Sequence, residues 1–71
     1  MPPRYRYEQI ADDLTGRIES GEFPPGSKLP SRRELIERYG VTEPVIERAM
    51  QVLRIKGKTE TLPGIGVCIA D

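Results

Sequence analysis

The spacing of the apolar residues changes once along this chain, at Gly57, and that change limits the architectures open to it. Before Gly57 the apolar positions recur at steps of three and four, the period of a helix. After it come two short β-branched runs on either side of a Pro-Gly pair. A chain of 71 residues can hold only one small core. At this size about 60% of the unfolded surface is buried on folding, so every element must share that core.

Three helices are expected before the change. Tyr7, Ile10, Ala11, Leu14 and Ile18 share one face and predict a helix over 5–20, with Glu8, Asp12 and Glu19 away from that face. Gly21 follows as a stop. The connector GEFPPGSKLP turns at Pro24-Pro25-Gly26 and is anchored by Phe23 and Leu29, with Lys28-Leu29 suited to pairing with a strand edge. Ser31 and Glu34 have the S-x-x-E spacing of a capping box, and Pro30 with Leu35 that of a hydrophobic staple. They predict a second helix over 31–39 that stops at Gly40. A turn from Tyr39 to Thr42 leads into a third helix over 42–56, capped by Thr42 and stapled by Val41 with Ile46. Its inward residues are Ile46, Ala49, Met50 and Leu53.

The remainder, over 58–70, reads as a β-hairpin. Pro63-Gly64 suits the central positions of a type II turn, where glycine accepts the positive φ. The expected fold is a single domain over 1–71, mainly α with a small β-hairpin (α+β). Three helices, a tight turn between the second and third, and a terminal hairpin describe a winged helix-turn-helix. The third helix is then the candidate recognition helix and the hairpin the wing.

Composition narrows the function. Eleven basic residues stand against eleven acidic ones, so any positive surface must come from local clustering. There is no histidine, no Cys/His spacing for a metal and no glycine-rich phosphate loop, so no enzyme, cofactor or metal is implied. Cys68, the single cysteine, excludes an internal disulfide, fits a reducing cytoplasm and reads as a packing residue in a strand. Tyr5, Tyr7, Phe23 and Tyr39 suit helix packing better than base stacking. No apolar run approaches a membrane span, and MPPRYRYEQ lacks the hydrophobic segment of a signal peptide.

The run from Tyr7 to Met50 resembles the N-terminal DNA-binding domain of the GntR family of bacterial transcription regulators. The resemblance rests on the connector G-x-x-x-P-G-x-x-LPS-x-R-x-L, spanning Gly21 to Leu35, on the Gly40-Val41 turn, and on GIGVCIA, which is similar to the family's G-x-G-T-x-V wing. It implies sequence-specific binding to duplex DNA as a homodimer on a palindromic operator, with a repressor role. Control in the family usually comes from a C-terminal effector or oligomerisation domain, and no effector site is expected within these residues. Whether the chain is an isolated domain or a minimal member stays open.

Departures from the family pattern fall on the contact surface. The family usually reads V-S-R-x-T-V-R-x-A-L at the start of the third helix, and here both arginines are replaced, by Glu43 and Glu47. Ile65 stands at the wing tip between Gly64 and Gly66, and Lys58 and Thr59 replace an apolar pair. The acids have three readings. They complement the helix dipole, with Glu47 pairing to Gln51 or Arg54; they read bases, since a carboxylate accepts from cytosine N4; or they meet a basic protein partner, which makes the chain a winged-helix interaction module with weakened DNA affinity. Phosphate affinity is expected from Arg32 and Arg33 beside Ser31 at the start of the second helix, with Glu37 as an alternative partner for Arg33. Arg4 and Arg6 read as a basic arm, and Arg48 and Lys58 as further backbone or base contacts. Thr42, Val45 and the tip residues Gly64, Ile65 and Gly66 complete the candidate surface.

Overall fold

The computed structural model describes residues 5–70. Three helices, α1 (Arg6–Glu19), α2 (Arg32–Tyr39) and α3 (Glu43–Ile55), precede two strands, β1 (Thr59–Leu62) and β2 (Gly66–Ile69). The strands pair antiparallel, with Thr59 opposite Ile69 and Leu62 opposite Gly66. The turn between them closes through the Ile65 N–H, which donates to the Leu62 carbonyl at 3.1 Å, with Gly64 at φ 75. This is the expected Pro-Gly turn.

The connector before α2 also joins the sheet. Lys28 bridges Cys68, the Leu29 N–H donates to Val67 at 2.9 Å, and the Ile69 N–H donates to Ser27 at 2.8 Å. β2 is therefore flanked on both sides, and the wing is tied to the residue that leads into α2. That link sets the hairpin beside the helix-turn-helix instead of leaving it to swing from Gly57.

One core holds the elements together. Ile10 and Leu14 of α1, Leu35 of α2, Ile46 and Leu53 of α3, and Ile69 of β2 are fully buried. Each such side chain contributes ~1.5–3 kcal/mol relative to exposure. Helix α2 has only eight residues, too few to be stable alone, and Leu35 is its single fully buried side chain. Cys68 is buried as a free thiol, in keeping with a packing role.

The ends of α2 are fixed by different means. At its start the Ser31 hydroxyl accepts from the Glu34 N–H at 3.2 Å, which is the first arm of the expected capping box. Among the described residues no bond returns from the Glu34 carboxylate. At its end Gly40 adopts the left-handed conformation (φ 64, ψ 40), and its N–H donates to Ile36 at 2.9 Å. The Arg6 guanidinium donates to the Tyr39 carbonyl at 3.1 Å, and the Tyr39 hydroxyl donates to Asp13 at 2.5 Å. Arg6, read from the sequence as part of a basic arm, is the first residue of α1 and braces the negative end of α2. Arg4 lies outside the described residues.

Thr42 departs from expectation as well. It occupies the cap position of α3, yet its side chain makes no capping bond, and the first turn relies on Pro44 and the acid Glu43.

Candidate nucleic-acid interface

Two helix starts and the hairpin converge on one face. The N-terminal turn of α2 presents Ser31, Arg32 and Arg33, all exposed. The outward side of α3 presents Glu43, Glu47 and Arg48, while Val45 is half-buried against the core. Between α3 and the hairpin lies an open cleft of about 280 Å³, lined by Arg32, Glu47, Met50, Gln51, Arg54, Thr59, Thr61 and Val67.

The charges within this face are arranged by pairing across elements. Arg32 Nη1 donates to Glu47 Oε1 at 2.9 Å, joining the first turn of α2 to α3. The partner of Glu47 is therefore Arg32, not Gln51 or Arg54 on its own helix. The geometry explains the preference: the tight turn brings the start of α2 against the side of α3, within reach of one long side chain. Arg33, in contrast, makes no ion pair among the described residues, and none joins it to Glu37. Arg33 is exposed in the first turn of α2.

Arg48 lies over the ring of Tyr7 at 5.3 Å from the centroid, and Tyr7 stacks on Tyr5 at 5.8 Å. This cation–π contact, together with its position on the outward side of α3, steadies the guanidinium without neutralising it. Lys58 lies at the base of the hairpin, just before β1. Its ammonium pairs with Glu19 at 3.3 Å, fastening the base of the hairpin to the end of α1. Thr42 stays exposed beside Glu43. At the wing tip Ile65 is 57% exposed between Gly64 and Gly66.

Gln51, Arg54, Thr61 and Lys28 were not among the expected contact residues. Gln51, Arg54 and Thr61 line the cleft with Arg32 and Glu47. Gln51 and Arg54 follow Glu47 at helical steps, so the period held a signal for them. Lys28 crosses Gly66: a Cβ added there would meet Lys28 Cε at 3.2 Å. Gly66 also has φ 120, so glycine at this point serves both the backbone and the lysine stem. The expected pairing of Lys28 with the hairpin edge is what brings that basic residue to Gly66.

A second cluster lies away from the face. Hydrogen bonds from Tyr39 and then Arg17 hold the Asp13 carboxyl below the usual carboxylate range. Burial and the bond to Asp13 push the Tyr39 phenol up to about 12. These groups secure α2 to α1.

A short helix-turn-helix with a hairpin set against its third helix defines a winged helix-turn-helix. The chain belongs to the GntR family of bacterial regulatory proteins, whose family pattern matches residues 6–69. The Exu regulon transcriptional regulator of Escherichia coli K12 is 37% identical over 69 residues, which is 97% of this chain and 27% of that protein. The histidine utilization repressor of Klebsiella aerogenes is 31% identical over 65 residues, or 92% of this chain and 27% of that protein. Among solved structures, AraR(DBD) in complex with operator ORE1 superposes with a TM-score of 0.87 at 28% identity, covering 99% of this chain and 83% of that one. The chain thus spans 27% of the length of both relatives and corresponds to the family's winged-helix DNA-binding domain.

Proposed function

We propose that this chain binds duplex DNA in a sequence-specific manner and serves as the operator-binding part of a bacterial transcriptional repressor. The observation that carries this reading is the likeness, over nearly the whole chain, to a domain crystallised with its operator. In that arrangement α3 enters the major groove while the start of α2 and the hairpin meet the backbone. Arg33, exposed in the first turn of α2 and without an ion pair among the described residues, is the phosphate contact, since a helix start and a guanidinium both attract anions. Arg48 and Lys28 add positive charge on either flank. Two chains bind as a homodimer on a palindromic site, because a two-fold pair reads two equal half-sites. The protein acts in the bacterial cytoplasm, where the chromosome is accessible, and needs no cofactor for binding.

Glu43 and Glu47, with the zero net charge, favour a second reading: the same face docks a basic protein. Selection from random duplexes, followed by titration of the recovered site at two salt concentrations, separates the two. DNA binding predicts a recovered two-fold motif and saturable, salt-sensitive binding. Absence of saturable duplex binding at low salt favours the protein partner.

A further inference from the structure

The ion pair between Arg32 and Glu47 joins residues fifteen apart in sequence, and one of them stands where the family usually has an arginine. We propose that Arg32 is a base-reading residue for guanine and that Glu47 is the positioning residue that aims it. The proposal rests on the duplex-binding reading above and specifies which residues of that face set the sequence.

The contact is single. Arg32 Nη1 meets Glu47 Oε1 at 2.9 Å, which leaves the rest of the planar fork of N–H donors and the second carboxylate oxygen unused by this bond. Both side chains are half exposed, at 50% and 52%, and both border the cleft between α3 and the hairpin. Exposed pairs of this kind contribute little to folding. Their effect lies in restricting a long side chain that otherwise samples many rotamers, which lowers the entropy lost on binding.

Charge decides what the held arginine recognises. A guanidinium already paired with a carboxylate forms a neutral unit, and the carboxylate repels any phosphate brought close to it. The phosphate backbone is therefore a poor ligand for Arg32, unlike Arg33. The edges of bases are uncharged, and guanine offers O6 and N7 in the spacing that an arginine fork matches. Guanine thus satisfies the free donors of the held fork, whereas adenine offers an acceptor only at N7 and sets a donor at N6 against it.

The experiment compares the full chain with Arg32→Ala, Arg32→Lys, Glu47→Gln and the double variant Arg32→Ala/Glu47→Gln. Each is titrated against the duplex selected by the native chain and against versions with each G·C pair changed to A·T. Both positions are exposed, and circular dichroism checks that every variant folds. The native chain is expected to prefer guanine about tenfold or more at one position of each half-site. Arg32→Lys keeps the charge but not the fork, and should bind all duplexes while losing that preference. Glu47→Gln should reduce the same preference at the same position. The double variant should lose no more than Arg32→Ala alone, because Glu47 acts through Arg32. Additive losses would make Glu47 an independent reader and overturn the proposal. A uniform gain of affinity in Glu47→Gln, with preference intact, would overturn it too, leaving the acid as a competitor of phosphates. No saturable binding by the native chain would overturn the duplex-binding reading itself, and this proposal with it.

Discussion

Ser31→Ala probes the start of α2, on which the placement of Arg32 and Arg33 depends. The Ser31 hydroxyl accepts a single N–H, that of Glu34, at 3.2 Å and at an exposed site. Losing a capping hydroxyl costs ~0.5–2 kcal/mol, and a long, solvated bond with no return arm belongs in the lower half, ~0.5–1 kcal/mol. For a domain of this size a loss of 1 kcal/mol lowers the melting midpoint by about 4–8 °C, so a fall of about 2–8 °C is expected. Thermal unfolding followed by circular dichroism measures it. Ser31→Asp should keep the midpoint, because its carboxylate can cap the same amide and meets the positive helix end. Glu34→Gln should change little, since the Glu34 side chain makes no return bond to Ser31. An unchanged midpoint in Ser31→Ala, or an equal loss in Glu34→Gln, would refute the one-armed cap.

Three further outcomes follow from the packing. Leu35→Ala removes the only fully buried side chain of α2 and should cost ~2–5 kcal/mol, comparable with the whole reserve of ~3–5 kcal/mol in a domain this small. Urea unfolding reads it, and a loss below ~1 kcal/mol would contradict the role of Leu35. Gly66→Ala puts a side chain at φ 120 and 3.2 Å from Lys28 Cε, and should cost ~1–3 kcal/mol in the same assay; no loss would show that the hairpin relaxes freely. The native Tyr39 phenol, pushed up from 10.0 to about 12, holds its proton more firmly than the unfolded one. Its contribution is therefore complete below pH 10.0 and declines as pH rises toward about 12. Tyr39→Phe should flatten that part of the stability profile, and an unchanged decline would assign it elsewhere.

Features set by local chemistry were legible in the sequence. The helical period of Ile10, Ala11 and Leu14, the cap at Ser31, the stop at Gly40 and the turn at Pro63-Gly64 each depend on residues within a few positions. The pairing of Lys28-Leu29 with the hairpin was also foreseeable, since a connector with an apolar anchor has few other places to go. What escaped was the partner choice of long charged side chains. Arg32 reaches Glu47, Lys58 reaches Glu19, Arg6 reaches the Tyr39 carbonyl and Arg48 covers Tyr7. Each contact depends on how the elements cross, which no local pattern contains. Thr42 shows the converse: its residue type favours a cap, but its side chain makes no capping bond in this structure.

The central claim, that the α2–α3 face grips duplex DNA through phosphates at the start of α2, is tested most directly by the salt dependence of binding in the native chain and Arg33→Ala. On the selected duplex, the slope of log affinity against log salt should become shallower by about 0.9 per site on removing one phosphate contact. Affinity should fall alike on selected and unrelated duplexes. An unchanged slope, or a loss confined to one sequence, would contradict the account.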